Sequence, residues 1–307
     1  MADQSSARTQ PSRKRPSVSP RPEAAALVPD LIADRFDVLS VIAQGGFGTV
    51  LLGNDRWTDE NVAIKVLHRA PEIDEARFWR EVEVMAQVEH PALVRLLSYG
   101  KIPATRRGDV AVPYLVMEHV DGVTLRRFGE THGLMAPLDC LTMLRPIAGA
   151  LDALHASGIV HRDVKPDNIM IGSGGPLDVW LVDLGIAFAL KDADRRLTSE
   201  HHVVGSPAYV APEAARGAQP APTMDAYSLA VCVYELLTGA RPHRGNAEVD
   251  VLRQKLRQPP EFLTHVSKHT FTVPFECAMR SCLSSDPSER PASATGVLDR
   301  LAEALRG

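Results

Sequence analysis

A polar loop between two short apolar runs holds the densest set of reactive side chains in the sequence. It reads His161-Arg162-Asp163-Val164-Lys165-Pro166-Asp167-Asn168. An aspartate can accept a hydroxyl proton, a lysine can neutralise a phosphoryl group, and an asparagine oxygen can bind a hard cation. A capped turn without chemistry is the structural alternative, and the neighbouring motifs make us favour a reactive site.

A second carboxylate follows an apolar run at 179–182. Asp183 stands directly before Leu184 and Gly185. A carboxylate at a strand end, with a flexible glycine beside it, suits a magnesium ligand. The same pattern is common in ordinary loops, so on its own it favours neither interpretation.

Glycines cluster earlier in the chain, between two strand-like runs. The segment reads Gln44-Gly45-Gly46-Phe47-Gly48. Closely spaced glycines let backbone N–H groups approach phosphate oxygens without obstruction from side chains. Taken alone, these residues favour a hairpin turn without a ligand.

A lysine and a glutamate in successive predicted elements form a candidate ion pair. Lys65 closes an apolar strand-like run, and Glu81 shares a predicted helical face with Phe78 and Met85. A carboxylate that faces a core needs a cationic partner, and Lys65 can supply one. Lys65 would then contact nucleotide phosphates while Glu81 fixes its direction. A solvated strand end is the plainer interpretation of Lys65.

Hydrophobic periodicity places these residues in two units of different character. The first is rich in strands, predicted at 38–43, 49–53, 62–67, 93–98 and 114–118, with one helix at 74–89. The second is mainly helical, with helices predicted at 141–155 and 225–237 and short strands at 159–160, 169–171 and 179–182. We predict an N-terminal lobe over 33–120 and a C-terminal lobe over 121–307. Residues 1–32, rich in proline, serine and arginine, are predicted to be a disordered tail.

Composition narrows the class of protein. The chain has 307 residues, 45% of them hydrophobic, and a formal net charge of -4, which gives no reason to expect nucleic acid as a partner. Its four cysteines form no C-x-x-C pair, so free thiols in a reducing compartment are expected. No apolar run reaches the roughly 18 residues of a membrane span. We therefore expect a cytoplasmic protein.

Taken together and in their order along the chain, the four elements resemble the signature set of the eukaryotic-like serine/threonine protein kinases, with a similarity to bacterial members. The resemblance extends from about Arg35 to Leu305. Lys165 and the segment Gly205-Ser206-Pro207-Ala208-Tyr209 favour serine or threonine over tyrosine as the acceptor. Further matching segments are His90-Pro91, Met117-Glu118-His119-Val120-Asp121-Gly122, Val210-Ala211-Pro212-Glu213, Asp225-Ala226-Tyr227-Ser228 and Asp286-Pro287-Ser288-Glu289-Arg290-Pro291.

The resemblance implies an α+β, bilobal fold with ATP in the cleft between the lobes. It implies that Asp163 orients and deprotonates the acceptor hydroxyl while Lys165 steadies the γ-phosphate. Lys65 would contact the α- and β-phosphates and pair with Glu81. Further implied contacts are magnesium at Asn168 and Asp183, and nucleotide at Gly45, Gly46, Gly48, Val50, Ala63, Met117, Glu118, Val120 and Met170. A buried ion pair between Glu213 and Arg290 is expected as a structural feature.

The resemblance also bears on activation and partners. Arg162, directly before Asp163, goes in this family with an activation segment that is ordered by phosphate. Thr198, Ser199 and Ser206 are the candidate acceptors. The expected partners are a protein substrate with a serine or threonine acceptor and, for autophosphorylation, a second copy of the chain.

Two other functions fit parts of the sequence. A catalytically silent kinase-like ATP-binding or scaffold module would be expected to have lost at least one of the five polar side chains above, whereas Lys65, Glu81, Asp163, Asn168 and Asp183 are all present. A small-molecule phosphotransferase of related fold would not need the segment 205–213. The intact set favours a serine/threonine protein kinase that transfers the ATP γ-phosphoryl group to protein hydroxyls.

Overall fold

A computed structural model of the chain describes residues 28–45, 48–67, 75–104, 111–183, 207–245 and 247–306. At residues 75–78, 81 and 248 it describes the backbone alone. Residues 1–27, which belong to the predicted tail, lie outside the described ranges.

An antiparallel six-stranded sheet and one helix build the N-terminal lobe. Its elements are β1 (Leu31–Ile32), β2 (Phe36–Gly45), β3 (Gly48–Asp55), β4 (Glu60–Leu67), α1 (Glu75–Met85), β5 (Leu96–Ile102) and β6 (Val112–Glu118). The strand order is β1-β2-β3-β4-β6-β5. Phe36, Leu51, Ile64 and Val116 are at most 1% exposed and form the centre of a small core. The apolar runs therefore form strands because one face of the sheet is buried.

A small sheet and a set of helices build the C-terminal lobe. The strands β7 (Gly122–Thr124), β8 (Ile169–Gly172) and β9 (Val179–Leu181) pair in that order. The helices are α2 (Leu125–His132), α3 (Pro137–Ala156), α4 (Pro212–Ala215), α5 (Pro222–Thr238), α6 (Glu248–Arg257), α7 (Leu263–Val266), α8 (Val273–Cys282) and α9 (Ala294–Ala304). Helix α5 is apolar on nearly every side and is buried along almost its whole length, as its sequence predicts.

The two lobes share a continuous core. Val82 and Met85 of α1 belong to the same buried cluster as Leu144 of α3 and Leu229 of α5. The backbone N–H of Leu181 in β9 also donates to Ala92 O at 2.7 Å, just before β5. These contacts fix the small lobe on the large one, so the predicted bilobal α+β fold is confirmed.

Some predicted boundaries differ from the structure. No strand forms at 159–160, because the Ile159 N–H bonds back to Leu154 O at 3.0 Å and completes the end of α3. Strand β5 begins at Leu96 rather than at residue 93, since the preceding residues bridge to β9. Residues 28–32, which we assigned to the tail, contain the buried Val28 and strand β1.

The described helices include none with both the length and the apolar character that a membrane crossing requires.

Candidate active site

A cavity of about 240 Å³ is lined by residues of both lobes. Strands β2, β3, β4 and β6 contribute from the N-terminal lobe, and β8 and the residues after β9 contribute from the C-terminal lobe. Ile42, Val94 and Val182 also line it, although sequence reasoning did not single them out. The predicted site residues that line the cavity are Val50, Ala63, Lys65, Met117, Glu118, Val120, Met170 and Asp183.

Apolar side chains enter this cavity from both lobes. Ala63 lies in β4 beside β3, which carries Val50, and Met170 lies in β8 of the other lobe. Such aliphatic surfaces can enclose a flat aromatic base. At the cavity edge, the Glu118 N–H donates to Arg95 O at 3.1 Å. The Val120 backbone makes no hydrogen bond to the described residues, so its polar groups can serve a ligand.

The glycines of the β2–β3 hairpin have different local environments. A side chain at Gly48 would place its Cβ 2.4 Å from Val66 O, so only glycine allows this close approach of β3 and β4. A Cβ at Gly45 would meet nothing within 4 Å, which leaves open space for a ligand. Ala43 does not have a positive φ, so its methyl group causes no backbone strain. Gly46 lies outside the described residues.

Lys65 is buried, with 5% of its surface exposed, and it forms an ion pair with Asp183. The carboxylate offsets part of the free-energy cost of removing this ammonium group from water. The side chain of Glu81 is outside the described part of the structure. The predicted Lys65–Glu81 pair therefore stays a prediction.

The backbone of Asp183 adopts a left-handed conformation with φ of 59°. This conformation is uncommon for residues other than glycine, and short polar side chains such as aspartate tolerate it best. The preceding Val182 N–H donates to Asn168 O at 2.9 Å. The strand end that carries Asp183 is thus joined directly to the loop that carries Asn168.

In that loop, one oxygen of the Asp163 carboxylate accepts two hydrogen bonds. Lys165 Nζ donates to Asp163 Oδ2 at 2.7 Å, and Asn168 Nδ2 donates to the same oxygen at 2.9 Å. Asn168 Nδ2 also donates to Asp163 O at 2.8 Å. The described residues supply no donor to Asp163 Oδ1. This oxygen therefore remains able to accept a proton from another molecule.

We call residues 161–168 the catalytic loop after their predicted role. Helix α5 holds this loop through Asp225, which is fully buried. Asp225 Oδ2 accepts the His161 N–H at 2.7 Å, and Asp225 Oδ1 accepts the Arg162 N–H at 2.8 Å. His155 Nε2 lies 2.8 Å from Asp225 Oδ2. These bonds hold Arg162 at a φ of 66°, directly before Asp163. In the sequence, Asp225 stood out only as part of a matching segment. Its contacts explain why a carboxylate lies inside an apolar helix.

His161 supports the same loop from within the core. It is fully buried, and burial lowers its pKa, so the ring is held neutral. Its Nδ1 accepts the Asp163 N–H at 3.3 Å, which requires the proton on Nε2.

The predicted ion pair between Glu213 and Arg290 is confirmed. The two terminal guanidinium nitrogens of Arg290 donate to the Glu213 carboxylate, each at 2.7 Å. Arg290 also donates to Thr223 O at 3.1 Å and Ser284 O at 2.8 Å. This bidentate pair joins α4, which contains Glu213, to the loop before α9.

Sequence reasoning missed a second polar cluster, which is centred on Arg126 at the start of α2. Arg126 donates to Asp167 Oδ2 at 2.9 Å, Glu235 Oε1 at 3.2 Å and the Tyr209 hydroxyl at 2.6 Å. Asp167 belongs to the catalytic loop, and Tyr209 to the segment before α4. No local spacing indicates this cluster, because its members come from four separate parts of the chain.

Magnesium was predicted at Asn168 and Asp183. Within the described ranges, no group of three or more His, Cys, Asp or Glu side chains converges on one metal position. Mg²⁺ needs fewer protein ligands than that, because it keeps several waters and shares substrate phosphates. The Asn168 amide nitrogen is engaged by Asp163, which leaves its oxygen for a cation. One amide oxygen and one carboxylate therefore fit Mg²⁺ held together with a triphosphate.

The predicted phosphorylation sites Thr198, Ser199 and Ser206 lie outside the described residues.

Comparison with known proteins gives consistent matches over the folded part of the chain. Serine/threonine-protein kinase PknB of Mycobacterium tuberculosis is 35% identical over 266 residues, which are 85% of this chain and 41% of that protein. Serine/threonine-protein kinase PknL of the same organism is 39% identical over 229 residues, which are 74% of this chain and 55% of that protein. The chain thus spans about half the length of these relatives, or less.

Solved structures show the same architecture. A structure of Rad53 in complex with AMP-PNP matches with a TM-score of 0.70 and 28% identity, over 87% of this chain and 65% of that chain. The PknI kinase domain of Mycobacterium tuberculosis matches in fold with a TM-score of 0.68 and 24% identity, over 91% and 99% of the two chains. Residues 36–300 match the family described as the protein kinase domain. The chain therefore belongs to the protein kinase domain family.

Proposed function

We propose that this chain is a serine/threonine protein kinase that transfers the γ-phosphoryl group of ATP to protein hydroxyls. One observation carries the proposal. Lys65 bonds to Asp183, the neighbouring Val182 bonds to Asn168, and Asn168 bonds to Asp163. Lys65 and Asp183 line the cavity, and these bonds connect them to Asn168 and Asp163, which do not line it.

Two comparisons support the choice of substrates. The relatives PknB and PknL carry the name serine/threonine-protein kinase. The related Rad53 structure is a complex with AMP-PNP, an adenine nucleotide. An adenine ring in the cavity of this chain would pack between Val50 and Ala63 on one side and Met170 on the other. The backbone of Glu118 to Val120 would bond its edge.

Positive charge for the phosphates comes from Lys65 and Lys165. Lys65 reaches the cavity from β4 and would bind the α- and β-phosphates after exchanging its contact with Asp183. Asn168 and Asp183 would hold Mg²⁺, which neutralises phosphate charge when bound. Gly45, with open space around it, would let backbone N–H groups approach the phosphates.

Asp163 would act as the base. Its Oδ1 takes the proton of the acceptor hydroxyl while the hydroxyl oxygen bonds to the γ-phosphorus and the bond to the β-phosphate oxygen breaks. Lys165, 2.7 Å from Asp163 Oδ2, balances the charge that gathers on the transferring oxygens. Asn168 keeps the Asp163 carboxylate from turning, because it donates to both the side chain and the backbone of that residue.

Transfer of radioactive phosphate tests this function. Purified chain is incubated with ATP labelled at the γ-phosphate, Mg²⁺ and a degenerate library of serine, threonine and tyrosine peptides. We expect label on phosphoserine or phosphothreonine, and a loss of at least about 100-fold in Lys65→Met. Lys268→Met, which replaces an exposed lysine of the C-terminal lobe, is the matched control.

Label that appears only on tyrosine would contradict the proposed acceptor. Undiminished transfer by Lys65→Met would show that Lys65 is not needed for phosphate transfer. No transfer by the wild-type chain would favour the catalytically silent binding module.

A further inference from the structure

Buried side chains hold three consecutive backbone carbonyls in the segment before α4. Lys255 Nζ donates to Ala208 O and to Val210 O, each at 2.7 Å. Ser228 Oγ donates to the carbonyl between them, Tyr209 O, at 2.9 Å. We call residues 208–210 the docking segment. Its backbone is fixed from α5 by Ser228 and from α6 by Lys255.

Lys255 is an unusual residue for this position. It is 1% exposed, and no described carboxylate lies within ion-pair distance of its ammonium group. Burying an ammonium group costs free energy, and an apolar side chain of similar length avoids that cost. The ring of Tyr227, 5.2 Å from Nζ, offsets part of it. A lysine that served only to fill space would gain nothing from its charge, so its two hydrogen bonds indicate its role.

The docking segment lies beside the catalytic loop. The Tyr209 hydroxyl accepts a hydrogen bond from Arg126, which also binds Asp167, the neighbour of Asn168. Helix α5 reinforces this arrangement, because Asp225 holds the catalytic loop and Ser228, three residues later, holds the docking segment. A displacement of the docking segment would therefore change its position relative to Asp163.

We propose that Lys255 is a positioning residue for the acceptor peptide, because it fixes the backbone of the docking segment next to the catalytic loop. The inference rests on the proposed kinase function, and it assigns the docking segment, which lies beside the catalytic loop, to binding of the acceptor peptide. Lys255 touches neither nucleotide nor reacting atoms. Its loss should therefore weaken peptide binding and leave nucleotide binding and the chemical step nearly unchanged.

Steady-state kinetics of the full chain separate these effects. The probe is a threonine peptide chosen from the degenerate library with the wild-type protein. Lys255→Met removes both hydrogen bonds, Lys255→Gln keeps N–H donors without the charge, and the exposed Lys268→Met is the control. The KM for peptide, the KM for ATP and kcat are measured for each, with the melting temperature as a check of folding.

We expect Lys255→Met to raise the peptide KM about tenfold, which matches the loss of a charge-assisted hydrogen bond. Lys255→Gln should raise it less, and Lys268→Met should not change it. The KM for ATP and kcat should stay within about twofold, since neither depends on the docking segment. A merely structural role would lower the active fraction, and therefore kcat, without this split.

An unchanged peptide KM in Lys255→Met would overturn the proposal, and so would equal changes in all three constants. If Lys255→Met does not fold, Lys255→Gln gives the same comparison. Failure of both to fold would make Lys255 a stability residue and overturn the positioning role. If the wild-type chain labels no peptide, the proposed kinase function itself is wrong. That result differs from an active enzyme whose peptide KM does not depend on Lys255.

Discussion

Lys65 and Asp183 form an ion pair although 118 positions separate them in the chain. Lys65 lies in β4 of the N-terminal lobe, and Asp183 follows β9 of the C-terminal lobe. Their contact closes one side of the cavity and joins the lobes across it. Under the proposed function, a magnesium–triphosphate complex would replace this contact, because Lys65 and Asp183 are both proposed to bind it.

The first prediction concerns the metal. Replacing Asp183 with asparagine removes a carboxylate ligand and should raise the Mg²⁺ concentration for half-maximal activity at least about tenfold. Asn168→Ala should shift the Mg²⁺ requirement in the same direction. Glu81→Gln should cost less activity than Asp183→Asn, since Glu81 is predicted to orient Lys65 without holding the metal. The measurement is a Mg²⁺ titration of peptide phosphorylation at constant ATP.

Asp139→Asn, which changes an exposed aspartate at the start of α3, should leave the titration unchanged. An Asp183→Asn enzyme with the wild-type Mg²⁺ dependence would exclude Asp183 as the metal ligand.

The second prediction concerns the ion pair between Glu213 and Arg290. Arg290→Met leaves the Glu213 carboxylate without its guanidinium partner and should lower the free energy of unfolding by about 3 kcal/mol. The double variant Glu213→Gln with Arg290→Met should lose less than the sum of the single losses. Urea unfolding followed by circular dichroism measures both. Strictly additive losses would mean that the two side chains do not stabilise the fold through each other.

The third prediction concerns acid stability. Burial lowers the pKa of His243 from 6.5 to about 4. Its contribution to the free energy of unfolding is therefore fully present above pH 6.5 and is lost as the pH falls toward 4. In that range the unfolded chain binds a proton at this residue and the folded chain does not. The complete shift corresponds to roughly 3 kcal/mol. His243→Gln should lose less stability than the wild type between pH 7 and pH 4.5.

The depressed pKa of Lys255 also makes the fold less stable as the pH falls, but over a higher pH range than that of His243. Burial, together with the neighbouring Arg241 and Arg290, lowers its pKa from 10.5 to about 7, while Glu213 opposes this shift. Its contribution to the free energy of unfolding is present above pH 10.5 and is lost as the pH falls toward 7.

The control for the His243 prediction is His265→Gln, which alters an exposed ring. Equal pH slopes for the His243 variant and the wild type would contradict the prediction.

Much of the fold follows from hydrophobic periodicity. The run predicted as a strand at 62–67 lies within β4, and the run predicted as a buried helix at 225–237 lies within α5. These segments are strongly apolar, so burial alone decides their structure. The order of the lobes, the fold class and the family are confirmed. The cavity also brings together predicted residues as distant as Val50 and Met170.

Other features depend on contacts between distant parts of the chain. Lys255 stands between glutamine and leucine in a helix rich in arginine, a pattern typical of a solvated face, yet it is buried. Arg126 meets Asp167 and Glu235 only after the lobe has folded. At residues 159–160, the hydrogen bonds that end α3 outweigh the strand propensity of two β-branched residues, so no strand forms there. The catalytic and metal roles of the site residues stay predictions.

The central claim is that Asp163 removes the acceptor proton at a site where nucleotide binds independently of it. Single-turnover transfer to the threonine peptide, with ATP and Mg²⁺ already bound, tests it most directly. We predict that Asp163→Asn slows transfer by about 10² to 10⁴-fold while nucleotide affinity stays within about threefold of the wild type. Transfer at the wild-type rate, or an equal loss of rate and nucleotide affinity, would contradict the account.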